Sequence, residues 1–355
     1  MKLERVELSP VRYRLRSTLG SARAPLRERQ GVRVRVRDED GRSALGEALP
    51  LASAGTEALA RTRSALGAAA GALRGASGEL DELLDGIEAR WPDAPAARCA
   101  LDSALHELEA RRLGLPVAGL LGTDPRTKVA VNALLGSGEF ETVLARARDF
   151  VARGYETLKL KLGVDPPRAD LERVARLRAE LGPSIRLRLD PNGAWPVPAA
   201  REMLERLAPL EVELVELPLP ASVWRQLRRL ADDSPVPLAA DECLALPEAR
   251  RALADGDLTP LAVLKPMVLG GLRAAARLAE RASAAGVRCF ATTTLEGPAG
   301  TAAALQLAAA VCDPELACGL AGPEAVEAAF PAWLTPRRGR LRPGAAEGFG
   351  EGGAA

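Results

Sequence analysis

Short apolar runs recur along residues 126–320, and a stretch with the apolar spacing of a helix follows each run. The runs are KVAVNALLG, TLKLKLG, SIRLRLD, VELVELP, VPLAADE, LAVLKP, VRCFATTT and ELACGL. The polar residues that end six of them follow one another at intervals of 24 to 29 residues: Lys161, Asp190, Glu216, Asp241, Lys265 and Thr292. Repeats of this length predict a parallel (β/α) barrel. A doubly wound open sheet is the alternative, but it more often carries a glycine-rich phosphate loop, and the sequence has neither G-x-G-x-x-G nor a Walker motif.

The chain before and after this region has a different pattern. Residues 2–50 alternate apolar and polar positions as strands do, with a hairpin turn predicted at Asp40-Gly41. Residues 56–114 are rich in Ala and Leu at helical spacing. The predicted organisation is an α+β domain over residues 1–125, a barrel over residues 126–320 and a C-terminal segment over residues 321–355.

The run TLKLKLG places two lysines on one face of a strand. Lys159 and Lys161 are two positions apart, so their side chains point to the same side and the leucines point to the other. Only five of the 48 basic residues are lysines, and the other 43 are arginines. Lysine, unlike arginine, loses its proton when burial or a second cation lowers its pKa. The run is therefore either an exposed edge strand, on which lysine blocks aggregation, or the source of an amine that acts as a base.

Composition and charge exclude several classes of function. The 48 basic and 47 acidic residues are interspersed and give a net charge of +1, so we predict no nucleic-acid partner and no membrane partner. No apolar run reaches the length of a membrane span, and MKLERVELSP has no apolar signal region, which predicts a cytoplasmic protein. Five cysteines without a C-x-x-C motif indicate buried thiols. The single histidine, His106, lies in a helical stretch, and we expect it to be structural.

Carboxylates end three successive strands of the predicted barrel. Asp190, Glu216 and Asp241 are expected to meet at the mouth, because the C-terminal strand ends form one face of such a barrel. Three carboxylates in one cleft repel one another unless they bind a cation. Ligands that offer only oxygen select a hard ion, which predicts Mg²⁺, with Mn²⁺ as the alternative. The simpler interpretation is that each acid caps a helix or pairs with an arginine.

Lys161 and Lys265 lie on strands that flank the three carboxylates. A metal ion and two opposed lysines suit removal of the proton α to a substrate carboxylate, with charge building up as an enediolate. We predict that Lys161 is the base and that Lys159 lowers its pKa by like-charge repulsion. Two other classes stay open: a barrel that only binds Mg²⁺, and an aldolase that forms a Schiff base through one lysine.

The order of these motifs resembles that of a known family. K-x-K, LDPNGAW, VELP, ADE and LKP together resemble the enolase superfamily, in its muconate-cycloisomerase subgroup, over almost the whole chain. The resemblance implies a (β/α)7β TIM-like barrel with an α+β N-terminal capping domain that the C-terminal segment completes. It also implies that the three carboxylates bind Mg²⁺ and that Lys161 and Lys265 flank a small-molecule carboxylate substrate. The absence of a barrel histidine argues against the mandelate-racemase type.

Within the subgroup, the sequence favours one reaction and leaves its neighbours open. LKPMVLGG resembles the o-succinylbenzoate synthases, which perform a dehydration in menaquinone biosynthesis, and we predict this activity. An N-acylamino acid racemase or a muconate cycloisomerase is the alternative, because the same lysines serve all three reactions. ACGLAGPEA lacks the D-x-D with which dipeptide epimerases hold an ammonium group. The oligomeric state stays open, including a homo-oligomer.

Substrate contacts are predicted from the loops at the barrel mouth. The hydroxyl groups of TTTLEGPAGT can donate hydrogen bonds to a substrate carboxylate, and Gly20 falls in the loop that closes over substrate in the family. Pro191, Gly193 and Leu217 depart from the family pattern without removing a metal ligand. The predicted substrate-binding residues are Asn192, Thr292, Thr293, Thr294, Ser21 and Gly319.

Overall fold

A computed structural model describes residues 1–19, 26–320, 322–344 and 349. Over these residues the strands are β1 (Leu3–Leu19), β2 (Leu26–Asp38), β3 (Ser43–Ala48), β4 (Val129–Ala130), β5 (Ala133–Gly136), β6 (Thr157–Lys161), β7 (Arg186–Asp190), β8 (Leu214–Glu216), β9 (Leu238–Ala240), β10 (Leu261–Leu264), β11 (Arg288–Ala291), β12 (Val326–Glu327) and β13 (Arg340–Leu341).

The α-helices are α1 (Leu59–Leu73), α2 (Leu80–Arg90), α3 (Pro95–Leu113), α4 (Ala118–Leu121), α5 (Phe140–Ala152), α6 (Pro167–Leu181), α7 (Val197–Leu207), α8 (Leu227–Asp233), α9 (Pro247–Ala254), α10 (Pro266–Leu269), α11 (Leu272–Ala284), α12 (Pro298–Val311) and α13 (Gly322–Ala325). Short 3-10 turns occupy Ala52–Ala54, Ala208–Leu210, Ala221–Gln226, Glu242–Ala245 and Ala332–Leu334.

Seven parallel strands, β5 to β11, lie side by side in chain order and curl into a barrel. The eighth place in the ring is filled by residues 317–320, from the run ELACGL. Cys318 N donates to the carbonyl of Ala130 at 2.8 Å, and Gly319 N donates to the carbonyl of Ala291 at 2.9 Å. These bonds join the two edges of the sheet. The predicted parallel barrel is therefore confirmed, and its last segment closes the ring through single bridges instead of a full strand.

The strand β6 shows why the barrel strands are apolar runs. It pairs with β5 on one side and β7 on the other, so it is not an edge strand. Leu158 and Leu160 are fully buried in the core between the sheet and the outer helices. Lys159 points to the opposite face, into the barrel, and is also buried. The edge-strand interpretation of TLKLKLG is wrong, because both faces of this strand are covered.

A second sheet, antiparallel and in the order β12–β1–β2–β3, forms the capping domain with α1, α2 and α3. The hairpin between β2 and β3 turns at Asp40-Gly41 as predicted, with Gly41 at a φ of 82°. Val326 of β12 pairs with Leu15 of β1, so the C-terminal segment completes this sheet. The α+β capping domain is confirmed, whereas its boundaries at residues 125 and 320 stay a prediction.

The cysteines and the histidine lie in the interior. All five cysteines are buried and free, as the lack of a C-x-x-C motif predicted. His106 is buried in α3, where its Nδ1 lies 2.9 Å from the backbone oxygen of Asp102. None of the described helices combines the length and the hydropathy that a membrane crossing requires.

The capping sheet packs so closely on α3 that one strand position excludes any side chain. A Cβ added to Gly46 of β3 would lie 1.9 Å from the carbonyl oxygen of Ala100 in α3. A Cβ added to Gly67, on the exposed face of α1, would meet nothing within 4 Å. The first glycine is therefore required by packing, and the second is not.

We expect Gly46→Ala to lower the free energy of unfolding by about 1–3 kcal/mol, because the methyl group forces β3 and α3 apart. Gly67→Ala is the matched control and should raise stability by up to about 1 kcal/mol through its better helix propensity. Urea denaturation followed by circular dichroism measures both. Equal stability of Gly46→Ala and the wild type would contradict the close approach of β3 to α3.

Candidate active site

The three carboxylates predicted to meet at the barrel mouth do so. Asp190 and Glu216 are the last residues of β7 and β8, and Asp241 directly follows β9. Each is at most 3% exposed, and one oxygen from each lies within 4.8 Å of the other two. Three neighbouring parallel strands that end at the same depth are enough to bring them together.

This set of donors fits a hard divalent cation. It offers only carboxylate oxygens, with no histidine or cysteine, which suits Mg²⁺ or Mn²⁺. Glu216 Oε1 and Asp241 Oδ2 are buried and have no hydrogen-bond partner. A buried polar atom without a partner costs free energy. A cation between the carboxylates would satisfy both oxygens, so the residues present fit the predicted metal.

Lys159 and Lys161 both reach the same carboxylate. Their Nζ atoms lie 2.7 Å and 2.5 Å from Asp190 Oδ2, and Lys159 also contacts Glu216. Burial disfavours the charge on Lys159, but the two carboxylates outweigh burial and raise the pKa of its ammonium group. Burial likewise opposes the charge on Asp190, yet the two lysines hold its pKa well below the usual range. Lys159 is therefore a fixed positive charge beside Lys161.

Lys265 approaches the carboxylates from the other side of the barrel. In the ring of eight strand positions, β6 and β10 are four places apart, so Lys161 and Lys265 face each other across the mouth. Lys265 Nζ lies 2.5 Å from Asp241 Oδ1 and 3.5 Å from Glu242 Oε1. Burial works against the charge on Lys265, and these two carboxylates more than offset it and raise its pKa. Burial and the neighbouring Glu242 raise the pKa of Asp241 to about 7.

A side-chain amide links the two opposed lysines. Asn192 Oδ1 accepts a hydrogen bond from Lys161 Nζ at 2.8 Å, and Asn192 Nδ2 donates to Glu242 Oε1 at 3.1 Å. The same Glu242 oxygen is the one near Lys265. Both the oxygen and the nitrogen of the Asn192 amide, a predicted substrate ligand, are thus hydrogen-bonded to protein side chains. Glu242 was not among the predicted site residues, and its place next to Asp241 in the motif ADE was the available signal.

The three threonines after β11 differ in what their hydroxyl groups do. Thr292 Oγ1 is buried and has no hydrogen-bond partner. Thr293 Oγ1 donates to the carbonyl of Gly319 at 3.5 Å, and Thr294 Oγ1 donates to Glu296 Oε1 at 2.7 Å. Gly319 leaves room beside Thr292, since a Cβ there would lie 2.7 Å from Thr292 Cγ2. Thr292 is therefore the one of these three threonines whose hydroxyl group has no hydrogen-bond partner.

The loop predicted to close over substrate lies outside the described residues. Gly20 and Ser21 both belong to it, so Ser21 stays a prediction. The strands that lead into this loop and out of it, β1 and β2, are described and pair with each other up to Leu19 and Leu26.

Comparison with known proteins agrees with this geometry. The family model described as mandelate racemase / muconate lactonizing enzyme, N-terminal domain, matches residues 7–122. The model described as enolase C-terminal domain-like matches residues 142–351, which is more than half of the chain. The chain belongs to the enolase superfamily and is close to its muconate-cycloisomerase subgroup.

Individual proteins similar to the chain are named as cycloisomerases and as an epimerase. Muconate cycloisomerase 1 of Rhodococcus opacus is 34% identical over 246 residues, which is 69% of this chain and 66% of the relative, a little under two thirds of its length. The structure of a dipeptide epimerase from Enterococcus faecalis V583, complexed with Mg and L-Leu-L-Tyr, is 27% identical with a TM-score of 0.90 and covers 99% of both chains. Muconate lactonizing enzyme from Pseudomonas fluorescens, complexed with muconolactone, is 27% identical with a TM-score of 0.87 and covers 98% of this chain and 95% of its own.

Titration with Mg²⁺ or Mn²⁺ tests the carboxylate site without any substrate. Both ions should bind the wild type and raise its melting temperature, because a ligand that binds only the folded state stabilises it. Glu216→Gln removes one charge and one ligand oxygen. Loss of a residue that only hydrogen-bonds to a metal ligand already lowers metal affinity by about 10–100-fold, so the affinity of this variant for the ion should fall by at least that much. Isothermal titration calorimetry measures the affinity.

The control for this variant is Glu202→Gln on α7, where the side chain is 70% exposed and pairs with Arg206. Its affinity for the ion should equal that of the wild type. Unchanged affinity in a folded Glu216→Gln protein would refute the assignment of this carboxylate as a ligand.

Proposed function

We propose that the protein is a Mg²⁺-dependent enzyme that moves the proton α to a carboxylate of a small molecule. The observation that carries this proposal is the arrangement of Lys161 and Lys265, which face each other across three buried carboxylates. When bound, Mg²⁺ supplies the positive charge that stabilises negative charge as it develops on a substrate carboxylate. An amine on one side or on both sides of the α-carbon supplies the proton transfer.

Each residue of the site then has a distinct task. Asp190, Glu216 and Asp241 hold the ion. Lys161 exchanges the α-proton, and Lys159 holds a positive charge beside it, since the Nζ atoms of both lysines contact Asp190 Oδ2.

On the opposite side of the substrate, Lys265 either holds a positive charge near the developing enediolate or exchanges a proton with the other face of the α-carbon. Its contact with Asp241 places the ammonium group at the edge of the carboxylate cluster. The free hydroxyl group of Thr292 is the polar group that best suits a hydrogen bond to the substrate. Asn192 orients Lys161 towards the α-carbon through its hydrogen bond to Nζ. We therefore assign Asn192 to orientation of the base instead of substrate binding.

The relatives favour cycloisomerisation or racemisation over the dehydration predicted from LKPMVLGG. Muconate cycloisomerisation is supported by the relative at 34% identity. In that reaction Lys161 would give a proton to the carbon next to one carboxylate as the other carboxylate closes the lactone ring. Racemisation of an N-acylamino acid is supported by the opposed lysines, since a proton must leave one face and return to the other. Gly319, at the eighth strand position, offers no carboxylate for a free ammonium group, which favours an acylated nitrogen.

The o-succinylbenzoate synthase activity stays a prediction from sequence. The relatives named above carry the names of cycloisomerases and an epimerase, and they give this reaction no particular support. It uses the same Lys161 step, so the site is compatible with it.

A panel of three substrates separates these reactions. Purified protein with Mg²⁺ should turn over at least one of cis,cis-muconate, an N-succinylamino acid and the cyclohexadiene carboxylate precursor of o-succinylbenzoate. Loss of diene absorbance reports the first and third, and loss of optical rotation reports the second. Chelation of the metal should stop the reaction. A metal-loaded protein that turns over none of them, and incorporates no deuterium from D₂O at the α-carbon, would refute the proposed chemistry for these substrate classes.

Lysine variants test the roles of the two amines. Lys161→Ala should lower kcat by about 10³-fold, in line with the loss of a general base. If the reaction is racemisation, Lys265→Ala should abolish α-deuterium exchange from one enantiomer and retain it for the other. Lys128→Ala, which changes an exposed lysine outside the barrel mouth, is the matched control and should behave as the wild type. Full activity of Lys161→Ala would rule out this residue as the base.

A further inference from the structure

The loop after β11, Thr292–Gly297, connects the barrel mouth to α12 and carries the free hydroxyl group of Thr292. Two side chains from the capping domain are bonded to this loop and to the start of α12. Neither was predicted as a functional residue, because each acts on a part of the chain more than 250 residues away.

Arg29 of β2 is the first of these residues. It is 2% exposed, and over the described residues its guanidinium is hydrogen-bonded to three backbone oxygens and, at 3.5 Å, to Thr294 Oγ1, but to no acidic group. Arg29 Nε donates to the carbonyl of Thr294 at 3.0 Å, Nη1 donates to the carbonyl of Pro50 at 3.0 Å, and Nη2 donates to the carbonyl of Leu49. One planar fork thus holds the chain after β3 and the loop after β11 together.

Glu47 of β3 is the second residue. It is fully buried and accepts a hydrogen bond from Gly300 N, in the first turn of α12, at 3.2 Å. Tyr13 and Arg33 also donate to this carboxylate. The ring of Tyr13 lies so close to Gly297 that a Cβ there would be 2.5 Å from it. The capping domain is therefore hydrogen-bonded to both ends of the segment from Thr294 to Gly300, through Arg29 at one end and Glu47 at the other.

The backbone between these two contacts is strained. Leu295 has a φ of 66°, in the left-handed region that branched and bulky residues avoid. Its side chain packs in an apolar cluster with Leu15 of β1 and Leu26 of β2. A strained backbone persists only where its surroundings impose it, and here the surroundings are the capping domain.

We propose that Arg29 is a positioning residue that holds the Thr292–Gly297 loop against the capping domain and so sets the place of the Thr292 hydroxyl group at the barrel mouth. The inference rests on the proposed function in one respect: the assumption that the Thr292 hydroxyl group forms a hydrogen bond to the substrate. The physical reason is that three carbonyl groups share one buried cation, so loss of the fork leaves them without a donor and releases the strain at Leu295.

Hydrogen exchange followed by mass spectrometry tests the proposal without a substrate. In Arg29→Lys, which keeps the charge and loses the fork, amide exchange over residues 293–300 should accelerate by about tenfold or more, because bonds to a charged donor are lost. Exchange in β6, β7 and β8 should be unchanged, as should Mg²⁺ affinity. Arg29→Met should show the larger effect. Arg37→Met, on the exposed part of the same strand, is the control and should match the wild type.

Kinetics with a substrate from the panel adds a second readout. The loop is expected to affect binding more than proton transfer, so KM should rise by about tenfold in Arg29→Lys while kcat stays within about threefold. Wild-type exchange over residues 293–300 in Arg29→Lys would overturn the proposal. So would an acceleration spread evenly over the barrel, which would mark Arg29 as a residue of general stability. If the panel gives no substrate, the proposed function fails and the exchange experiment still decides the role of Arg29 in the loop.

Discussion

Opposite charges buried side by side in the barrel mouth are the constraint on which the rest of the structure depends. The set comprises the carboxylates of Asp190, Glu216, Asp241 and Glu242 and the ammonium groups of Lys159, Lys161 and Lys265, of which Glu242, Lys161 and Lys265 are half-buried and the others are buried. Any one of them alone in a low-dielectric interior would cost several kcal/mol. Together the carboxylates outnumber the ammonium groups by one, and three of their buried oxygens, Glu216 Oε1, Asp241 Oδ2 and Glu242 Oε2, lack a hydrogen-bond partner. The excess of negative charge and the unpaired oxygens therefore favour the binding of an additional cation at the mouth.

Holding this set in place requires backbone that departs from ordinary conformations. Asn192, Leu217 and Leu295 have φ values of 48°, 34° and 66°, and each lies in a loop that directly follows a barrel strand. Strain of this kind costs on the order of 1–3 kcal/mol per residue and persists where surrounding contacts fix it. The contacts differ in origin: Asn192 is tied to the lysine and carboxylate network, whereas Leu295 is held by the capping domain. The capping domain thus supports the site through a residue, Leu295, that its own side chains hold in place.

The sequence was informative wherever a regular period carried the signal. The 24 to 29 residue interval placed Asp190, Glu216 and Asp241 at neighbouring strand ends, and closure of the barrel then brought them together. Contacts that depend on distant parts of the chain left no such signal. The bond between Arg29 and Thr294 joins residues 265 positions apart, and nothing in either local pattern marks it. The last barrel segment fell short of a strand because single backbone bridges suffice to close the ring.

The choice between lysine and arginine inside the barrel fits the proposed proton exchange at this site. Lys159 pairs in register with Arg188 on the next strand. Arg188 is also fully buried, where it bonds Glu213 and stacks 4.5 Å from the Phe290 ring. A permanent cation is thus available to this fold one strand away, in a chain that otherwise uses arginine for 43 of its 48 basic residues. Three of the five lysines nevertheless meet at the mouth, and one of them, Lys161, is the amine that the proposed function requires to give up a proton, which arginine cannot do.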